Sequence, residues 1–126
     1  MNNFTHSILA GLALLAAFPD AANAAGDAAG GQKLYQTMCS ACHSIEYNGV
    51  GPAHQGLFER KAGGRTDYTY SPALQASTVV WTEKTVDKWL TNPEKFIPGQ
   101  KMGFMIPAAK DRADLIAYLK KETAKK

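Results

Sequence analysis

Apolar positions recur at helical spacing at both ends of the chain. Gly31, Leu34, Tyr35 and Met38 stand at i, i+3, i+4 and i+7, which gathers them on one helical face leading into Cys39. Asp27 sits just before that run as an N-cap. Gly31 on the apolar face lets a second helix come close. Near the other end, Leu115, Ile116, Tyr118 and Leu119 point inward from a helix predicted to begin near Asp111. Lys120, Lys121, Lys125 and Lys126 lie at its C-terminal end, where the helix dipole favours cations.

Two shorter helices are predicted between these. Ser71-Pro72 supplies an N-cap and a first-turn proline. A further helix follows Thr82, with Val86, Trp89 and Leu90 as its buried side and Pro93 as its end. Pro98-Gly99 reads as a turn. Residues 44–70 carry neither a helical nor a strand period; Asn48-Gly49-Val50-Gly51-Pro52, Gly56, Gly63-Gly64 and Thr66-Asp67 mark them as loop. A loop of that length is unusual in a compact domain unless it wraps something. The class is all-α, with no internal repeat.

The first 24 residues change the picture of size. Residues 8–18 are apolar but too short to span a membrane, and Ala22-Asn23-Ala24 offers a small-residue cleavage site. Residues 1–24 therefore read as a secretory signal, with one domain over 25–126. The n-region lacks Lys and Arg, which keeps an uncleaved interfacial anchor as the alternative. A domain of roughly 100 residues has a marginal core of its own. Loss of Asp20 with the signal takes the net charge from +3 to +4. That excess forms no dense basic stripe, so nucleic acid is excluded and an acidic protein partner fits better.

The chemistry is concentrated in Cys39-Ser40-Ala41-Cys42-His43, which holds both cysteines of the chain. C-x-x-C-H is the spacing of a c-type haem attachment site. Two thiols on one turn can each add to a vinyl group, and the following imidazole can reach the iron. A thioredoxin-like redox pair belongs with a βαβ pattern that is absent. A zinc site wants about four ligands, and beyond these three residues only His54 remains in 25–126. A disulfide would close too small a loop to constrain much. The pentapeptide favours haem without closing these alternatives. A buried haem would also supply the missing core, leaving the apoprotein poorly folded.

Over residues 26–121 the sequence resembles the class I cytochromes c, especially the bacterial cytochrome c2 branch close to the mitochondrial protein. Gly26-Asp27, Gly31 and Tyr35 are similar to its N-terminal helix. Gly51-Pro52, Gly56-Leu57-Phe58 and Arg60 follow its next loops, and Tyr70 and Trp81 stand where it has propionate donors. Asn92-Pro93 and Ile97-Pro98-Gly99-Gln100-Lys101-Met102 resemble its second-ligand loop, and residues 112–119 its C-terminal helix.

The resemblance implies a cytochrome c fold of three to five helices and long loops around one haem c, attached through Cys39 and Cys42. It implies His43 and Met102 as axial ligands, with the Pro52 carbonyl accepting from His43 and Arg60 near a propionate. On spacing alone Met105 competes with Met102; the Pro-Gly-x-Lys-Met likeness selects Met102. His/Met ligation raises the haem potential. The implied function is a monomeric, soluble periplasmic electron carrier and not an enzyme. Its donor would be a bc1-type complex or a dehydrogenase, and its acceptor an oxidase, a reaction centre or a reductase. Lys33, Lys101 and Lys110, with Lys95, would form the face that meets acidic partners, with rates falling as salt rises. A haem enzyme or gas sensor is the competing class and needs an open iron position.

Several residues depart from the family pattern. Gln100 stands where Thr is usual, so a propionate contact is expected to change. Trp89 replaces a Tyr near the methionine sulfur, and one residue fewer separates Met102 from Arg112, so residues 105–107 should take a different path. His54 replaces a Leu that packs on the haem. It reads either as a loop histidine turned to solvent or a carbonyl, or as a buried histidine whose protonation couples to the haem redox state. On the second reading, His54→Leu would remove any extra pH dependence of the potential between about pH 5 and 8.

Overall fold

Asp27 starts the first helix as its sequence predicts, its carboxylate accepting from the Ala29 and Gly30 N–H groups. The computed structural model describes residues 25–124, and the predicted signal segment lies outside them. Helix α1 (Ala28–Leu34) runs straight into a π-helical turn, Tyr35–Cys39. After the long loop come α2 (Pro72–Ala76), α3 (Glu83–Thr91), α4 (Pro93–Phe96) and α5 (Ala109–Thr123). Among the described residues there is no strand, only an isolated antiparallel bridge between Lys61 and Val80. No described helix is long and apolar enough to cross a membrane.

The caps are mostly where the sequence puts them. Ser71 Oγ accepts from Leu74 N–H at the start of α2. Thr82 and Thr85 form a reciprocal capping box at the start of α3. Asn92-Pro93 is different: besides ending α3, it starts α4, with Asn92 Oδ1 accepting from Lys95 N–H. Helix α5 begins at Ala109 rather than near Asp111, without a side-chain cap.

Helices α1 and α5 cross in backbone contact. A Cβ on Gly31 would lie 2.0 Å from the Asp114 carbonyl oxygen, and one on Gly26 would lie 1.9 Å from that of Ala113. Asp114 fastens the crossing: its carboxylate accepts from Asp27 N–H at 2.8 Å and from Lys110 Nζ. On α5's other side, Arg112 donates to Asp87 of α3 at 2.7 Å and to the carbonyls of Ile106 and Pro107. The polypeptide after Met102 is thereby held to α5, and Ile106 N–H donates to the Leu90 carbonyl at 2.8 Å. The apolar core gathers Tyr35, Trp81, Val86, Leu90, Ile97, Leu115 and Leu119. Met38, predicted on the α1 apolar face, is instead 38% exposed.

The Lys110 hydrogen bond, then the Asp27 N–H, hold the Asp114 carboxyl below its ordinary 3.8. Because the folded-state value is depressed, the interaction stabilises the protein at neutral pH. That stabilisation is lost as pH falls below 3.8 toward the folded value. Asp114→Asn should therefore unfold more easily than wild type at pH 7, with the gap narrowing at about pH 3. Thermal unfolding at the two pH values checks this; a gap independent of pH would contradict it.

Candidate functional site

The π-helical turn delivers the pentapeptide to a cavity of about 510 Å³. The Cys39 carbonyl accepts from both Cys42 N–H (3.1 Å) and His43 N–H (2.9 Å), which folds the five residues into one tight turn. Cys39 is half-buried and Cys42 exposed, and both line the cavity together with His43. His43 Nδ1 lies 2.8 Å from the Pro52 carbonyl. That oxygen only accepts, so Nδ1 carries the proton and Nε2 keeps its lone pair. Burial lowers the His43 pKa, opposed by the Pro52 bond, so the ring is neutral as a metal ligand must be. Gly51 is required here by contact: a Cβ would sit 2.2 Å from Cε1 and 2.6 Å from both ring nitrogens.

Met102 reaches the same cavity from the segment after α4. A relay of hydrogen bonds shapes that segment. Glu94 accepts from Gly99 N–H (3.0 Å) and from Gln100 Nε2 (3.2 Å), while Gln100 Oε1 accepts from Met102 N–H. Gln100 thus serves the backbone beside Met102, and it is absent from the cavity lining. Gly99, at φ +88°, makes the turn that brings the two together. Met105 is 53% exposed and does not line the cavity, so the structure separates the two methionines that spacing left level.

Aromatic and aliphatic side chains complete the walls. Leu115 and Leu119 of α5, Val86, Trp89 and Leu90 of α3, Leu57, Leu74, Trp81 and Tyr70 all line it. Trp81 and Trp89 meet edge to face, their ring centroids 5.4 Å apart. Arg60 reaches in from the long loop, its guanidinium donating to the Gln55 carbonyl at 2.7 Å. Its Nε is buried without a partner in the protein. The loop is stapled from within: Asn48 bridges the Asp67 carbonyl and Ala53 N–H, and Tyr68 donates to the Val50 carbonyl.

The competing readings of the pentapeptide do not suit this geometry. Burial, then the neighbouring Cys42, push the Cys39 thiol up to about 11; a redox-active thiol needs the opposite shift. No three of His, Cys, Asp and Glu come together around a metal position among the described residues. A second hollow of about 430 Å³ touches His43 from the side of Tyr35, Glu46 and Tyr47 but reaches neither cysteine nor Met102.

A sequence profile described as Cytochrome c matches residues 28–123. The chain belongs to the cytochrome c family. It is 44% identical over 104 residues to the cytochrome c of Gibberella zeae, covering 79% of this chain and 98% of that protein. It is 46% identical over 97 residues to that of Tetrahymena pyriformis, covering 75% and 88%. Among solved structures, cytochrome cH from Methylobacterium extorquens superposes with a TM-score of 0.72 at 45% identity, covering 76% of this chain and 99% of that one. This is therefore a c-type cytochrome, an electron-carrier protein with haem c covalently bound through two cysteines, Cys39 and Cys42. The cavity fits that group. Its volume lies within the roughly 300–1,000 Å³ of cofactor pockets, its walls are mainly apolar, and the unpaired Arg60 Nε needs the kind of acceptor that a haem carboxylate provides.

His54 is the residue that sequence reasoning placed least well in this cytochrome. It turns neither to solvent nor to a carbonyl: Nδ1 meets the Tyr35 hydroxyl at 2.9 Å, and its ring stacks on that of His43. Burial, then His43 and Arg60, push its pKa down to about 3, which disfavours a charged ring at neutral pH. The signal available in the sequence was the departure at position 54, an imidazole where the family packs a leucine.

Proposed function

We propose that this cytochrome is a periplasmic one-electron shuttle with His43 and Met102 as its two axial iron ligands. The convergence of Met102 with Cys39, Cys42 and His43 on one cavity carries the reading. When bound, the haem iron exchanges a single electron between its ferric and ferrous states. The chain does the rest. Cys39 and Cys42 tether the group, the Pro52 carbonyl keeps the proton on His43 Nδ1, and the neutral thioether of Met102 favours a raised potential. His43 and Met102 would hold the iron from its two sides, which would leave no position for oxygen or a substrate and suits a carrier rather than a catalyst. The apolar walls and the buried Trp81 keep water from the group.

Lys101 lies at the cavity rim beside Met102, and Lys33 and Lys95 are exposed. They support docking to acidic surfaces of a bc1-type complex or dehydrogenase and of an oxidase, reaction centre or reductase. Lys110 contributes less, because it is paired with Asp114. Expression of the full chain in a bacterium that assembles c-type haem tests export and function together. The expected product is periplasmic, begins near Ala25, carries one haem and titrates reversibly with a one-electron slope. Retention of residues 1–24 on the membrane would contradict the location, and an irreversible or multi-electron titration would contradict the carrier.

A further inference from the structure

Tyr35 and His54 have no part in the carrier reading as it stands, yet they are built into the site. Tyr35 belongs to the π-helical turn that ends at Cys39 and is 5% exposed. Tyr118 of α5 packs against it with ring centroids 5.3 Å apart. The Tyr35 hydroxyl and His54 Nδ1 share a hydrogen bond of 2.9 Å, the two rings lying edge to face at 71°. The His54 ring then lies on the His43 imidazole, centroids 4.4 Å apart and planes 22° apart.

Each contact removes a different freedom. The Pro52 carbonyl pins one edge of His43 through Nδ1. One hydrogen bond tolerates a range of angles, so the ring can still swing about its own Cβ–Cγ bond. A second ring stacked on the first removes that swing, provided the second ring is itself held. His54 sits in a loop, and an imidazole there would otherwise choose between rotamers. The Tyr35 hydroxyl makes that choice, and α5 holds Tyr35 through Tyr118.

We propose that His54, held by the Tyr35 hydroxyl, is a positioning residue that fixes the plane of the His43 imidazole. The inference rests on His43 as an axial ligand and names the device that sets its orientation. The order of action is Tyr35 on His54, then His54 on His43. A leucine at 54 would keep packing but could not be locked by Tyr35. A phenylalanine at 35 would keep the ring and lose only the lock.

The test uses the haem-loaded full chain as wild type, Tyr35→Phe, His54→Leu and the double variant. Absorption spectra come first, since a far-red iron–methionine band in the wild type supports the ligation on its own. Proton NMR of the oxidised proteins then reads the haem-methyl shifts, which follow the plane of the axial imidazole. Tyr35→Phe and His54→Leu should each shift or broaden the wild-type pattern. Adding Tyr35→Phe to His54→Leu should change nothing further, because the hydroxyl acts through His54. Methyl patterns that stay as in wild type, whatever happens to the melting temperature, would overturn the proposal and leave the ligation standing. Independent, additive changes would overturn it too. Absence of the far-red band from the wild type would overturn Met102 as the second ligand, and the methyl shifts would still decide the proposal on the His43 side. Should His54→Leu fail to take up haem, the comparison of Tyr35→Phe with wild type decides alone.

Discussion

Replacing Cys39 and Cys42 together with alanine is expected to leave a chain that does not hold its fold. The reason is volume. The cavity those thiols border measures about 510 Å³, and the buried aliphatic and aromatic side chains of α2, α3 and α5 face it. An empty cavity costs about 24 cal/mol per Å³, so this one approaches roughly 12 kcal/mol if left unfilled. Domains of this size have only about 5–15 kcal/mol of net stability. The open side of the cavity reduces the cost by admitting water, but wetting these apolar walls is unfavourable as well. The unpaired Arg60 Nε adds about 1–3 kcal/mol when nothing accepts from it. The double variant should therefore show no haem after denaturing electrophoresis and a large loss of helical circular dichroism at 25 °C. A variant that keeps the wild-type helicity and melting temperature would show that the polypeptide core suffices alone.

Met102→Ala should have the second-largest effect, and on chemistry rather than folding. Met102 is held toward the cavity by the Glu94–Gln100 relay, whereas Met105 is out in solvent on the same segment. On the proposed ligation, removing the thioether would open the second iron position. The far-red band should disappear, the reduced protein should bind carbon monoxide where wild type does not, and the potential should fall. Axial ligands tune haem potentials over about 0.8 V, so a fall on the order of 0.1 V is a modest share of that range. Met105→Leu should leave all three properties unchanged. If Met105→Leu abolished the band and Met102→Ala kept it, the ligand assignment would be reversed.

Local rules reached much of the architecture. Asp27, Ser71 and Thr82 start helices because each side-chain oxygen can satisfy an orphan N–H within three residues, which is a property of the local sequence. The loop over 44–70 was legible from its glycines and the absence of any period, and so was the inward face of α5. Asn92-Pro93 was read only as a stop because a proline that ends one helix also suits the first turn of the next. What distinguishes the two is the Asn92 bond to Lys95 N–H.

The buried charges escaped the sequence for a different reason. Arg112 and Asp114 lie on a helix face where apolar residues are expected, and their partners include Asp87 and Asp27, far away in the chain. The site divides the same way. The pentapeptide announces itself through spacing, and the family resemblance points to Met102. The stacking of His54 on His43 joins loop residues, through Tyr35, to the π-helical turn and α5, so it becomes visible only once these elements pack together. Gln100 likewise looked like an altered contact to the cofactor. Its amide is instead occupied by Glu94 and by the backbone of Met102.

A covalently held haem ligated by His43 and Met102 is tested by an absorption spectrum of the purified full-length protein, oxidised and reduced. Sharp c-type bands on reduction and a far-red iron–methionine band in the oxidised protein are expected. Haem bands without the far-red band would contradict that ligation: the sixth position would then be open or otherwise filled, and the carrier reading would give way to a haem enzyme or gas-binding sensor.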